Sequence, residues 1–318
     1  MQLSTDSVRD RLRGVTVGLL TPFDDSLDIE YGKLGENART LYDEGIRTFM
    51  AAANISEYHS LSRDERVAHV KTSVGALPDD ACILGGVGGS TAEAAELMRA
   101  YEDHGVDAMM VMPPDHTYLH ERGLLQYYRE LDDATDRPLV PYVREFDPSV
   151  EYLADLTRVD GVVGVKYALE DPVKLGSAVA RGADDVVWVD GLAEPYAVAY
   201  WAEGVEGFSA GVSNFRPELG LALFDGLEAG DWERARELRN ACLPYQRFRE
   251  ETGQENTLPG ASSVAAVKRG LELAGLYGGN VREPIRPLTD DQRARAAELY
   301  ADLDDDIDRL VESRARPT

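Results

Sequence analysis

Lys166 is the residue of this sequence whose surroundings best suit it to chemistry. It closes the run VVGVK (162–166), whose glycine and β-branched residues read as a strand buried on both faces. The chain has only five lysines, and the other four fall in segments that read as helices. A lysine drawn into a dry site loses the hydration of its charged form, so its pKa falls and more of it is a free amine near neutral pH. Such an amine can attack a ketone to form a Schiff base. The protonated imine then withdraws electrons from the neighbouring carbon, which permits C–C cleavage, C–C formation or loss of water. The preceding run, LVPYV (139–143), supplies Tyr142, a group able to move protons in and out of that adduct, and Arg144 just beyond, a fork suited to a carboxylate. Taken singly, each has a plainer reading: a strand-end lysine snorkels to the surface, and a strand tyrosine is a core aromatic with a tethered hydroxyl. Placement on adjacent strands favours the chemical reading.

Those two runs belong to a series of eight. VTVGLL (15–20), TFMAAA (48–53), CILGGV (82–87), AMMVM (108–112), LVPYV, VVGVK, VVWVD (186–190) and GFSAG (207–211) alternate with amphipathic stretches. Ser62 with Glu65, and Ser90 with Glu93, form capping boxes that open two of the helices, the second stopping at Gly105. Later helices read as ERGLLQYYRELDDA, SVEYLADLTR, DPVKLGSAVAR, EPYAVAYWA and PELGLALFDGLEAG. Strands without clean polar alternation, each followed by a helix, imply parallel pairing with both faces covered. The expectation is an α/β fold, a (β/α)8 TIM barrel over residues 1–230. A doubly wound sheet is the rival, but LLTPFDDS after the first strand is no glycine-rich nucleotide loop. GGVGGST, after the third strand, lacks both the GxGxxG spacing and a Walker lysine and reads as a packing loop. From 231 to 318 the pattern turns helical (DWERARELRNACLPYQRFREE, SSVAAVKRGLELAGL, TDDQRARAAELYADLDDDIDRLVESR), an appended C-terminal layer.

Composition narrows the function. Asp and Glu outnumber Lys and Arg by 58 to 33, a formal charge of -25, which disfavours nucleic acid and anionic membrane surfaces as partners. No window holds 18 uninterrupted apolar residues and the N-terminal MQLSTDSVRDRLRG is polar, so a soluble, cytoplasmic protein is expected. The skew of 28 arginines to five lysines reads as a whole-surface adaptation, with a high-salt cytoplasm as the hypothesis. Cys82 and Cys242 form no CxxC pair and read as buried free thiols. The acidic run DLDDDID reads as a solvated helix face, and no metal site is expected there.

In a barrel of this kind the working groups lie at the C-terminal strand ends. That rule adds NISEYHS (54–60) after the second strand, PPDHTYLHERG (113–123) after the fourth, and Ser209 on the eighth, before VSNFRPE. His116 is a candidate proton carrier by its reference pKa, and equally a structural loop histidine. With His120 it invites a metal reading, but the motif lacks the glutamate of HExxH.

GVTVGLLTPFDDSLDIEYGKL, GGVGGSTAEAAELMRAYEDHGVDAMMVMPP, GVVGVKYALED and VKRGLELAGL...VREPIRPLT together resemble the dihydrodipicolinate synthase and N-acetylneuraminate lyase superfamily, over nearly the whole chain. The resemblance implies Lys166 as the Schiff-base lysine and Tyr142 as its proton-handling partner, a 2-keto acid substrate and a homotetramer; no cofactor is expected, since the lysine supplies the electron sink itself. MMVMPPDHTYLHERGLLQYYR, AAANISEYHSLS, YVRE and FSAGVSNFRPE are similar to the 5-dehydro-4-deoxyglucarate dehydratase subgroup, which dehydrates and decarboxylates a keto-deoxy sugar diacid. Two departures stand out. The family's strand-two loop carries two threonines where this chain has Asn54 and Ile55; Ile55 offers only its backbone N–H, leaving Asn54 or Ser56 to supply a donor. Asp115 and His116 stand where the synthases place a tyrosine lent across a subunit contact. Dehydration of a 2-keto-3-deoxy sugar acid leads the readings. An aldolase releasing pyruvate, a dihydrodipicolinate synthase and a non-catalytic ligand-binding barrel are the alternatives.

Overall fold

The computed structural model describes residues 2–257 and 263–312. Eight parallel strands, β1 (Val15–Gly18), β2 (Thr48–Ala51), β3 (Cys82–Val87), β4 (Ala108–Val111), β5 (Leu139–Val143), β6 (Gly164–Tyr167), β7 (Val187–Asp190) and β8 (Gly207–Ser209), pair in sequence order and close into a barrel. Helix α1 (Thr5–Leu12) precedes the first strand. The helices between strands are α2 (Tyr31–Asp43), α3 (Arg63–Ala76), α4 (Thr91–Glu102), α5 (Glu121–Asp132), α6 (Val150–Leu156), α7 (Pro172–Val179) and α8 (Glu194–Ala202), and α9 (Pro217–Glu228) follows the last strand. Every strand residue is buried, since one face meets the barrel interior and the other the helices, and polar alternation is therefore missing from the sequence.

Several strands stop short of their apolar runs. β1 ends before Leu19 and Leu20, β2 before Ala52, and β8 at Ser209, with Leu19 N and Ala210 N each making one more bond to the neighbouring strand, to the carbonyls of Met50 and Thr16. Both capping boxes form, with Ser62 Oγ accepting from Glu65 N and Ser90 Oγ from Glu93 N. The turn after α4 uses Gly105 at φ +92, a left-handed position. GGVGGST packs: the carbonyls of Gly86 and Gly88 accept from the hydroxyls of Tyr101 and Tyr58.

Beyond residue 230 come α10 (Trp232–Gly253), α11 (Val264–Leu273) and α12 (Asp290–Ile307), so the C-terminal segment is helical. The expected helices there extend to Ser262 and to residues 313–314, which lie outside the described residues. α10 packs against α8 and α9 and carries its C-terminal half over the barrel mouth, so it is a wall of the site as well as a cover. In the acidic run, Leu303 and Ile307 are buried while Asp304 bonds Arg216 and Asp306 bonds Arg309. Among the described residues, no group of three or more His, Cys, Asp or Glu is placed to hold a metal, and no helix is long and apolar enough to cross a membrane. Cys82 and Cys242 are buried free thiols, and burial pushes both well up in pKa.

Candidate active site

Strand register decides what faces the barrel axis. Gly18 pairs with Met50, Tyr142 with Lys166, and Thr16 with Ser209. With side chains alternating along each strand, one parity points inward. Gly18, Met50, Tyr142, Lys166 and Ser209 form the floor of a cavity of about 680 Å³ at the C-terminal mouth, a size usual for small-molecule sites. The intervening parity points outward; Tyr167, for example, meets the ring of Tyr200 on α8.

Lys166 is 8% exposed. Burial pushes its amine below the usual 10.5; Tyr142 pulls it back, Arg144 pushes it further down and Asp190 opposes. Its Nζ lies 4.0 Å from the centre of the Tyr142 ring. For Tyr142 the balance runs the other way: burial raises the phenol, but Lys166 and then Arg144 outweigh it, and the net shift is below 10. A lysine pushed toward the free amine beside a tyrosine pushed toward phenolate is the acid–base pair that imine chemistry requires.

Burial alone does not single out Lys166. Lys268 on α11, at 2% exposure, is buried more deeply still. The difference is in the partners: Lys268 Nζ sits 2.5 Å from Glu57 Oε1 and donates to the Asn280 carbonyl, so its positive charge is committed to a structural ion pair. Lys166 opens onto the cavity, beside an aromatic face.

The strand-two loop is a 3-10 turn, Asn54–Ser56, between two left-handed residues, Ala52 (φ 49) and Glu57 (φ 61). Such positions cost a non-glycine residue energy and persist only when the surroundings enforce them. His69 Nδ1 accepts from Ala52 N, Thr21 Oγ1 donates to the Ser56 carbonyl, and Glu57 accepts from Arg282 N while pairing with Lys268. Asn54 and Ile55 line the cavity. Ile55 lies over Gly18, where a Cβ would meet Ile55 Cγ2 at 2.3 Å, so a branched side chain reaches the floor only because residue 18 has none.

Two expected substrate-binding residues are placed elsewhere. Ser56 is fully buried behind the loop, where its Oγ donates to the Leu19 carbonyl and accepts from Ala53 N, so it braces the turn and does not line the cavity. His116 sits in an exposed loop with Nδ1 accepting from Tyr118 N, away from the cavity lining. The histidine that senses Arg144 is His59, whose pKa is lowered by burial, then Arg66, then Arg144.

Arg144 lines the cavity and pairs with Glu145, itself at φ 69. The opposite wall was not anticipated from the sequence: Gln246, Arg249, Glu250 and Gly253 of α10 all border the cavity. Their spacing, i, i+3, i+4, i+7, is a single helix face, a polar stripe legible in PYQRFREETG once that helix is known to lie over a barrel mouth. Beneath it Glu194, wholly buried, accepts from the backbone N–H groups of Gly211, Val212 and Ser213, from Ser213 Oγ and from Gln246 Nε2.

A sequence model of the Dihydrodipicolinate synthetase family matches residues 11–302. The chain belongs to that family. A Streptomyces avermitilis protein named "Probable 5-dehydro-4-deoxyglucarate dehydratase 1" is 31% identical over 273 residues, covering 83% of this chain and 85% of its own. A 4-hydroxy-tetrahydrodipicolinate synthase of Natronomonas pharaonis is 27% identical over 299 residues, covering 93% and 99%. The crystal structure of a dihydrodipicolinate synthase from Oceanobacillus iheyensis superposes with a TM-score of 0.88 at 26% identity, covering 95% of this chain and all of that one. The dihydrodipicolinate synthetase family barrel is thus established, and with it an enzyme of the lyase kind, while the similar proteins carry names for two different reactions.

Proposed function

We propose that the enzyme is a Schiff-base lyase that dehydrates a 2-keto-3-deoxy sugar acid, decarboxylating it as well where the substrate is a diacid. The observation that carries this reading is Lys166, buried on the cavity floor with its amine pushed down and its Nζ 4.0 Å from the ring of Tyr142.

The amine of Lys166 adds to the C2 ketone, and loss of water gives the imine. Tyr142 as phenolate takes a proton from C3, and the C3 electrons flow toward the imine nitrogen as an enamine. Return of those electrons expels the C4 hydroxyl with a proton, the dehydration. Hydrolysis then releases the product and restores the amine. Arg144, beside both groups, holds the C1 carboxylate. Asn54 is the strand-two side chain that can hydrogen-bond to substrate, and Ile55 presents an apolar surface where the family has a threonine. Similar proteins named as dehydratases favour dehydration over addition to a second aldehyde. The aldolase reading uses the same two residues but breaks C3–C4 and releases pyruvate.

Incubation with a panel of 2-keto-3-deoxy sugar acids, followed by product analysis, separates these: a dioxo acid or its decarboxylated semialdehyde supports dehydration, and pyruvate supports the aldolase. A homotetramer is the proposed assembly, to be tested by light scattering.

A further inference from the structure

We infer that Arg282, in the C-terminal segment and outside the cavity, is a positioning residue for substrate: it fixes the Asn54–Ser56 turn from behind and so sets where the Asn54 side chain meets the bound keto acid. This rests on the reading above of Asn54 as the strand-two group that hydrogen-bonds to substrate, and adds to it the group that places Asn54.

All five donors of the Arg282 guanidinium are used, and every partner lies more than two hundred residues earlier in the chain. Nε and Nη2 donate to the Leu27 carbonyl at 3.0 and 2.8 Å, and Nη1 donates to the Ser60 carbonyl at 3.1 Å. Nη1 and Nη2 also hold Glu65 at 2.9 and 2.7 Å, the two-pronged match of a guanidinium to a carboxylate. The backbone N–H of Arg282 donates to Glu57 Oε2 at 3.0 Å. Leu27 (φ 64) and Glu57 (φ 61) are two of the five non-glycine residues in the left-handed region among the described residues. Such backbone persists where its surroundings over-determine it, and here one residue bonds to both.

The path from Arg282 to Asn54 is short. Glu57 N donates to the Asn54 carbonyl at 3.2 Å and Ser60 N to the Glu57 carbonyl at 2.8 Å, so Glu57 joins the Asn54–Ser56 turn to the next one, Tyr58–Ser60. Arg282 grips both ends of that second turn and Glu65 beyond it in the first turn of α3, while Asn54 faces the cavity and Arg282 does not. The platform that carries Arg282 is seated without it. Asn37 on α2 and Tyr277 exchange hydrogen bonds at 2.7 and 3.0 Å, and Asn280 N donates to the Phe23 carbonyl at 2.9 Å. Between them Gly279 stands at φ 71, and a Cβ there would meet Phe23 N at 2.9 Å, so the segment comes this close because residue 279 has no side chain. The guanidinium then stacks over the Phe23 ring, 4.3 Å from its centre. Its bonds to Glu65 hold that carboxyl down to about 2, so the clamp keeps its charge around neutral pH.

The test uses the full chain, with borohydride trapping of 2-keto-3-deoxygluconate as the substrate readout and amide hydrogen exchange over residues 52–61 as the positional one. Arg282→Gln should raise the half-saturating concentration of the acid about tenfold, leave the trapping rate at saturation within about threefold, and speed exchange over 52–61 at least about tenfold while leaving 82–87 unchanged. Arg282→Lys keeps the charge toward Glu65 but cannot span both carbonyls, and should give an intermediate rise. Asn54→Ala should raise the half-saturating concentration by itself, and in that background Arg282→Gln should add less than about twofold. An unchanged half-saturating concentration or unchanged exchange in a folded Arg282→Gln overturns the proposal. So does an Asn54→Ala protein that traps the acid as the wild type does, or the same tenfold rise with Asn54 absent, which would show the arginine acting on stability alone. If Arg282→Gln does not fold, Arg282→Lys carries the same arms. A wild type that traps neither this acid nor pyruvate removes the underlying Schiff-base reading, and the exchange arm still decides whether Arg282 fixes the turn.

Discussion

Replacing Lys268 by methionine should destabilise the protein far more than its distance from the reacting atoms suggests. Lys268 and Glu57 form an ion pair at 2.5 Å with both side chains essentially out of water. Deleting the amine leaves the Glu57 carboxylate buried with Arg282 N as its remaining bonded donor among the described residues, and a buried charge stripped of its partner typically costs about 3–5 kcal/mol. With an unfolding entropy of about 2.1 cal/mol/K per residue, a chain this long loses roughly 5–7 °C of melting temperature for that cost. Glu57→Gln in the Lys268→Met background removes the stranded charge and should recover about 2 kcal/mol, a coupling of the size found for residues in direct contact. The pair also anchors the left-handed residue that ends the Asn54–Ser56 turn. KM should therefore rise while borohydride still traps a keto acid on Lys166. Thermal melts and denaturant titrations of the two singles and the double, in one salt concentration, measure the cycle. A Lys268→Met protein as stable as the wild type, or a double variant as unstable as the sum of the singles, would refute the reasoning.

Other consequences follow from the same geometry. Tyr142→Phe should lower kcat by about 10²- to 10⁴-fold while leaving the folded structure intact, since it removes the proton carrier and little volume; unchanged turnover would remove Tyr142 from the mechanism. Because a free amine is the nucleophile and the Lys166 pKa is lowered, kcat/KM should rise with pH to a plateau reached below pH 10.5, and a limb at or above the ordinary lysine value would contradict the burial argument. His69 is buried with a pKa lowered to about 4, so the unfolded chain takes up its proton below pH 6.5 and the folded chain does not; wild-type stability should fall by roughly 3 kcal/mol from that source between pH 6.5 and 4, a fall missing from His69→Gln in parallel urea titrations. Gly18→Ala should impair both folding and trapping by driving a methyl into Ile55, and Ile55→Ala in the same chain should restore much of the loss. With a formal charge of -25, the protein should melt at a lower temperature as salt is removed, and indifference to salt would discard the high-salt hypothesis.

The barrel was legible because its signal repeats: eight apolar runs, each with a helix behind it, leave few other ways to cover both faces of the strands. Lys166 was legible because a charged residue closes an otherwise apolar run and Tyr142 because a hydroxyl lies next to the end of the preceding one, and it was the pairing of those two strands that favoured chemistry over the plainer reading of each. What was hidden depends on three-dimensional closure. Ser56 has the right chemistry and the right loop, yet a 3-10 turn rotates it inward to brace the backbone, and nothing in ANISE announces that rotation. His116 was favoured by its reference pKa, but a loop histidine does chemistry only if the loop folds over the mouth, and here its ring serves the Tyr118 amide. Lys268 was passed over as a helical lysine, because its partner Glu57 lies more than two hundred residues earlier in the chain. Arg249 was lost among 28 arginines until the packing of α10 against α8 and α9 brought its polar stripe over the cavity.

The most direct test of the central claim is borohydride reduction of the wild type with pyruvate and with 2-keto-3-deoxy sugar acids, followed by peptide mass spectrometry, alongside Lys166→Ala and Lys268→Met proteins shown to be folded. The predicted result is a single reduced adduct on the peptide containing Lys166, present in Lys268→Met and absent from Lys166→Ala. Adduct formation on another lysine, or none with any keto acid from folded wild-type protein, would contradict the assignment of Lys166 as the Schiff-base residue.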